Sequence, residues 1–323
     1  MDYKIGELVP TRLAYGQALA ELGAANKQIV VLDAEVKNST YAELFAKAFP
    51  ERFFEMFIAE QNMIGVGLGL SKCNKIPFVS TFAAFLTRAF DQIRMAAYSQ
   101  PNLKICGSHA GVSIGEDGSS QMGLEDLAMM RVVPGLVIVS PSDPVSLGGL
   151  MEQIAYHPGC VYLRMPRKAD QKIHSPKTDF RLGKGVVLKE GKDLTIAATG
   201  FVMVPEALKT AELLSSRGIE ASVIDFHTVK PLDQELLLEY AGKTGLVVTM
   251  ENHQAAGGLG GAAAECLGLH LPTRLLRIGV EDRFGQVGTM EFLMDDYGLS
   301  AEKMAPRIED YMKNGSKREW EKK

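Results

Sequence analysis

The feature that most constrains this chain is a repeated change of hydrophobic period. Short β-branched and apolar runs alternate with longer stretches of helical spacing from about residue 11 to beyond residue 270. That alternation predicts an α/β fold with largely parallel sheets, because parallel neighbours need a crossover, usually a helix, between them. A first series of strand runs lies near 28–33 (QIVVLD), 53–59, 77–81, 103–107, 136–140 and 160–164. Helical stretches fall at about 11–24, 60–72, 83–99, 123–131 and 144–156, the last opened by Ser142-Asp143-Pro144, a polar cap before a proline in the first turn. Residues 165–184 lose the period and gather charge and proline, which predicts a linker, 171–184, within that stretch. A second, smaller series has strand runs near 185–189, 193–198, 219–225, 245–250 and 274–278, a helix over 204–217 and a helical tail from Ser300 ending in a charged run, Lys317 to Lys323. The expectation is two domains, 1–170 and 185–323, each a mostly parallel sheet flanked by helices.

Composition narrows the function classes. At 323 residues the chain has the length of about two domains, and its 46% hydrophobic and 23% charged residues are ordinary for a globular protein. A net charge of −4 supplies no basic field for a phosphate backbone, so nucleic acid is not an expected partner. Cys73, Cys106, Cys160 and Cys266 are far apart and form neither a zinc cluster nor a disulfide framework. The first residues lack the pattern of a signal peptide and no 18-residue apolar run occurs, so the expected setting is the cytoplasm, away from membrane.

In an open parallel sheet, ligands bind outside the carboxyl ends of the strands. Those ends carry Glu35 and Ser39, then Glu60, then Phe82 and Phe85, then Ser108, His109 and the loop Gly115-Glu116-Asp117-Gly118, then Arg164 and Arg167. Each alone has an ordinary structural explanation: a helix-start glutamate, a core aromatic, a loop histidine, a turn. Two further features invite over-reading. The run Gly257-Gly258-Leu259-Gly260-Gly261 only approximates a dinucleotide fingerprint and suits tight helix packing, and Glu251 with His253 suits a structural pair better than a metal site.

Ile58 to Met63, Ser80 to Phe85, Arg88 to Arg94 and Gly107 to Gly118 together, in this order and spacing, strongly resemble transketolase. The likeness runs from about Thr11 to the end and covers the family's pyrimidine-binding and C-terminal domains. It implies thiamine-diphosphate chemistry, in which a two-carbon ketol unit passes from a ketose phosphate such as xylulose 5-phosphate to an aldose phosphate such as ribose 5-phosphate. Glu60 matches the glutamate that hydrogen-bonds the aminopyrimidine ring; such a carboxyl must be protonated or share its proton, which a water-poor site favours. Phe85 resembles the aromatic that stacks on the pyrimidine, with Phe82 supporting it. His109 and Asp117 are similar to sugar-contacting residues, His109 among the catalytic ones, and Arg12, Ser39 and Arg167 to those that hold the substrate phosphate. Gln121, beside the reacting centre, stands where many members have histidine, Glu35 where an aspartate is usual, and Arg88 where several have tyrosine.

The family holds the cofactor's diphosphate through magnesium with a Gly-Asp-Gly start and a later asparagine, hard oxygen ligands of the kind magnesium takes. No Gly-Asp-Gly occurs here, and Glu116-Asp117-Gly118 is followed by no asparagine before Asn252. The chain opens with Met1 ten residues before the likeness starts. The resemblance therefore implies the C-terminal subunit of a split transketolase, paired with an N-terminal subunit that supplies the diphosphate and Mg2+ site, in an assembly of two of each chain. Related alternatives are a 1-deoxyxylulose-5-phosphate synthase, the β subunit of a pyruvate-dehydrogenase-type enzyme, or a non-catalytic regulatory subunit. The Ser108 to Gly111 and Phe82 to Phe85 segments favour transketolase.

Overall fold

The structure is a computed structural model that describes residues 6–315. Its strands are β1 (Leu8–Pro10), β2 (Ile29–Asp33), β3 (Phe53–Glu55), β4 (Ile76–Phe82), β5 (Lys104–Ser108), β6 (Val137–Val139), β7 (Val161–Arg164), β8 (Ala169–Gln171), β9 (Val186–Lys189), β10 (Leu194–Thr199), β11 (Ala221–Asp225), β12 (Thr228–Lys230), β13 (Leu246–Gln254) and β14 (Arg274–Val280). They form a seven-stranded sheet in the order β12-β6-β7-β5-β4-β2-β3, a five-stranded sheet in the order β14-β13-β10-β11-β9, and the antiparallel ribbon β1-β8. In the larger sheets every pairing is parallel except at the edge strands β12 and β9. This is the expected pair of mostly parallel sheets flanked by helices. β2, β5, β10 and β11 are buried along their whole length, which is why they show no alternation of apolar and exposed polar positions, even where β5 carries Lys104 and Ser108.

The helix Pro144–Tyr156 starts where the sequence predicts. Asp143 Oδ1 accepts from Ser146 N at 2.7 Å while Ser146 Oγ accepts from Asp143 N at 3.0 Å, a reciprocal cap. Asp143 Oδ2 also accepts from Ile173 N and His174 N, so the cap fastens the stretch 172–185, which has no helix or strand, onto the first sheet. The helical tail is Ala301–Asn314, and the run Lys317 to Lys323 lies outside the described residues.

Three elements differ from their sequence outline. The run 53–59 is a strand only to Glu55, since Phe57 takes a left-handed backbone conformation (φ 52°) that ends the ladder, leaving Phe57 and Ile58 exposed. The stretch 83–99 is a tight 3-10 turn, Phe85–Ala89, followed by the helix Phe90–Tyr98. The helix expected from 123 begins at Asp126, because the carbonyls of Gly123 and Leu124 are taken by the N–H groups of Gly111 and Gln254. β12 had no sequence signal, and it pairs β6 across the two series.

A buried polar cluster sits at that junction. Asp225 Oδ2 accepts from Ser142 Oγ at 2.5 Å and lies 2.9 Å from His174 Nε2, with the Phe180 ring edge-on to the imidazole. Burial opposes charge on His174, but the hydrogen bond to Asp225 and the charges of Asp225 and Asp143 outweigh it and raise its pKa above 6.5. A histidine whose folded pKa exceeds its unfolded value contributes stability in full below about 6.5 and loses it as pH rises through the folded value. Comparing urea midpoints of wild type and His174→Gln should therefore show a gap that is widest at about pH 6 and narrows on going alkaline. A gap independent of pH would mean the imidazole is not charged in the fold.

Candidate active site

Register along the parallel strands brings the expected residues to one rim. Asp33 of β2 lies opposite Ser80, Phe82 of β4 opposite Ser108, and Gly107 of β5 opposite Arg164. The strands thus end together, and the loops that follow converge. Glu60 is the first residue of the helix Glu60–Lys72, where a carboxyl meets the positive end of the helix dipole. It is buried (2% exposed), and its two oxygens lie 3.2 and 3.3 Å from Arg88 Nη1. Arg88 is half-exposed, its guanidinium 5.1 Å from the centre of the Phe85 ring, and its carbonyl accepts from Gln61 Nε2.

From Phe85 the contacts continue inward. Phe85 stacks on Phe82 with centroids 5.1 Å apart and planes 14° from parallel, and Phe82 stacks on the His109 imidazole at 3.8 Å. His109 has a left-handed backbone (φ 58°) and is buried. Its Nδ1 is 2.8 Å from Ser108 Oγ, whose hydroxyl can donate to the Thr81 carbonyl, and its Nε2 faces Arg12 Nη1 at 3.4 Å. This pattern fits the tautomer with the proton on Nδ1 and a lone pair on Nε2. Burial, then the charges of Arg12 and Arg167, drive the imidazole pKa down to about 2, so the ring is neutral. Arg12 donates to the carbonyls of Ser39 and Arg167, and Arg167 donates to the Ile114 carbonyl at 2.6 Å and to Asp117 Oδ1 at 3.1 Å. One unbroken series of contacts therefore joins Glu60, through Arg88, to Phe85, Phe82, His109, Arg12, Ser39, Arg167 and Asp117.

Two expected residues stand outside that series. Glu35, exposed and in a left-handed conformation, receives only a backbone role, its N–H donating to Glu55. Gln121 ends a short 3-10 turn, its N–H on the Gly118 carbonyl. Other residues enter that sequence reasoning left out. Arg88 holds Glu60, and Asp33 fixes the turn leading to Ser39 by accepting from Val36 N and Thr40 Oγ1. Burial raises the Asp33 pKa to about 7. Asp33 had a readable signal, an aspartate at a strand end seven residues before a threonine; Arg88 was visible only as a departure from tyrosine. Glu251 and His253 are buried neighbours, with His253 Nδ1 3.7 Å from Glu251 Oε2, but their hydrogen bonds go elsewhere: Glu251 accepts from Leu259 N and Gly260 N at 2.8 Å, capping the helix Leu259–His270, and His253 Nδ1 lies on the Gln254 carbonyl. The glycine run serves this packing, since a Cβ on Gly258 would meet the Glu251 carboxyl at 1.8 Å.

Chemically the rim has two ends. A buried carboxyl joined by one arginine to a half-buried aromatic ring suits a flat heterocycle with a ring nitrogen, which would stack on the ring while the carboxyl takes the nitrogen in place of the arginine. The other end, with two arginines, a carboxylate and a neutral imidazole, suits an anionic polyol. Among the described residues, no group of three or more His, Cys, Asp or Glu is arranged to hold a metal ion.

Residues 7–171 match the transketolase pyrimidine binding domain, and residues 183–304 match the transketolase C-terminal domain. The chain belongs to the transketolase family. It is 44% identical over 307 residues to a protein of Methanocaldococcus jannaschii described as a transketolase C-terminal section, covering 94% of this chain and 96% of that one. Human transketolase is 48% identical over 269 residues, which are 82% of this chain but 43% of the human protein, so the chain spans about half the length of such relatives. Among solved structures, one described as a split gene transketolase in an inactive beta4 tetramer superposes with a TM-score of 0.86 at 45% identity, over 94% of this chain and 98% of that one. In this transketolase-family chain no helix among the described residues is long and apolar enough to cross a membrane.

The imidazole chemistry of the site can be read directly. By NMR, the His109 ring signals should stay unmoved between about pH 4 and 9, and Arg12→Ala, which removes one of the two opposing charges, should raise the pKa. A wild-type ring that titrates near 6.5 would mean that His109 is not shielded as described.

Proposed function

We propose that this chain is the C-terminal subunit of a two-chain transketolase that transfers a two-carbon ketol unit from a ketose phosphate such as xylulose 5-phosphate to an aldose phosphate such as ribose 5-phosphate. The observation that carries the reading is the buried Glu60 carboxyl, joined through Arg88 to the Phe82–Phe85 stack and through that stack to the neutral His109 and the Arg12–Arg167–Asp117 group. In this reading, residues 1–170 are the pyrimidine-binding domain, 171–184 the linker and 185–323 the C-terminal domain.

The site fits the aminopyrimidine end of thiamine diphosphate: an enclosed carboxyl is reachable past a half-exposed arginine, next to an available aromatic face. That cofactor supplies the nucleophilic carbon that cleaves the donor and carries its two-carbon unit. Glu60 would hold the proton shared with the pyrimidine ring nitrogen once Arg88 releases its carboxyl. Phe85 would cover the ring with Phe82 bracing it, and Glu35 and Gln121 would complete the cofactor's surroundings. His109 presents its Nε2 lone pair to a sugar hydroxyl, Asp117 accepts from another, and Arg12, Ser39 and Arg167 take the phosphate. The diphosphate and magnesium are assigned to an N-terminal partner subunit, since the sequence holds no Gly-Asp-Gly. Two of each chain form the assembly, and the cytoplasm is its place. Support comes from relatives of the same extent, one described as a C-terminal section and one as a split-gene enzyme whose beta4 form is inactive.

Mixing the purified chain with a subunit carrying the Gly-Asp-Gly motif should yield ketol transfer that neither has alone. Glu60→Gln should keep assembly and lower turnover by about a hundredfold or more. Full activity from this chain alone would overturn the two-chain reading, and turnover of pyruvate in place of xylulose 5-phosphate would move it to a decarboxylase. A complex that takes up no cofactor in calorimetry would make the chain a non-catalytic subunit.

A further inference from the structure

The loop Gly111–Asp117, which follows His109 and ends in Asp117, is built against the second half of the chain. At Gly111 (φ 66°) a Cβ would lie 2.4 Å from the side-chain amide of Asn252, and at Gly118 (φ 82°) it would lie 2.9 Å from Val287. Both neighbours belong to the C-terminal series, Asn252 within β13. Asn252 is buried (3% exposed), and its Oδ1 accepts from Val112 N at 2.9 Å, while its carbonyl accepts from Arg164 Nη2 at 2.9 Å. Two residues further on, Gln254 N donates to the Leu124 carbonyl, next to Gly123, whose carbonyl accepts from Gly111 N at the start of the loop. Within the loop, Ser113 Oγ donates to the Ala110 carbonyl and accepts from Arg167 N, which transmits the position of Val112 both to His109 and to Arg167.

We infer that Asn252 is a positioning residue for sugar recognition: by accepting from Val112 N it sets the turn that aims His109, Asp117 and Arg167 at the substrate. The C-terminal half of the chain then acts on specificity through one side-chain oxygen, without touching the sugar. The inference rests on the proposed transketolase reading for its substrate, though its geometry does not. Glu60 and Phe85 lie on other loops and are not held by Asn252, so the effect should fall on sugar and spare cofactor.

In the reconstituted complex, Asn252→Ala should raise the KM for the ketose donor about tenfold with kcat and cofactor affinity little changed, the loss expected when a buried backbone donor is left without its acceptor. Asn252→Asp keeps an acceptor at Oδ1 with Arg164 nearby and should restore the KM. In the chain alone, the His109 ring signals should shift in Asn252→Ala and return in Asn252→Asp, a readout that loss of overall stability would not reverse. Unchanged His109 signals in Asn252→Ala would overturn the inference, as would an Asn252→Asp variant no better than the alanine. Absence of ketol transfer in the wild-type complex would count against the proposed function, and the His109 signals would still decide the role of Asn252.

Discussion

The buried pair of Arg164 and Asp126 is the constraint on which the rest of the site depends. Arg164, at the end of β7, donates through Nε and Nη2 to both oxygens of Asp126, at 2.7 and 3.0 Å, and Asp126 takes a third bond from the Tyr162 hydroxyl. Burial alone would raise the Asp126 pKa, but the Arg164 charge and hydrogen bonds outweigh it and hold it below the usual carboxyl range. A buried ion pair often adds little net stability over well-packed apolar residues, whereas removing one partner costs about 3–5 kcal/mol. Its value here is geometric. Through Nη2 the same guanidinium also holds the Asn252 carbonyl, so one side chain joins an interior strand of the first sheet, the helix Asp126–Arg131 and β13 of the second.

On that frame the rim can afford groups in unfavourable settings. His109 is kept neutral between two arginines, and both arginines spend hydrogen bonds on backbone carbonyls, which fixes their heads before any ligand arrives. Preorganised donors of this kind lose little entropy on binding an anion. Glu60 is handled differently: both its oxygens face a single nitrogen, Arg88 Nη1, and the Arg88 side chain is half-exposed over the Phe85 ring.

Much of the architecture was legible because period and burial agree. β2 and the helix Pro144–Tyr156 carry their boundaries in local chemistry: an apolar run buried on both faces, and an aspartate whose cap the fold uses in full. What was not legible depends on contacts distant in sequence. Lys104 lies fully buried in β5, its ammonium on the carbonyls of His157 and Gly159, with burial pulling its pKa down to about 7; no local pattern tells it from a surface lysine. The same holds for the site. Residue types at strand ends named Glu60, Phe82, Phe85, His109, Asp117 and Arg167, but the Arg88–Glu60 contact spans 28 positions and the Asn252–Val112 bond spans 140, beyond any spacing rule.

β12 has a consequence for how such a chain is made. The seven-stranded sheet is finished by Thr228–Lys230, which follow β6 by roughly ninety residues, so a chain leaving the ribosome would hold Val137–Val139 as an open edge on the order of ten seconds before its closing strand exists. An apolar Val-Ile-Val edge is a template for pairing with other chains. The first sheet is therefore not a unit that matures independently during synthesis: its last hydrogen bonds wait for the second half of the message to be translated.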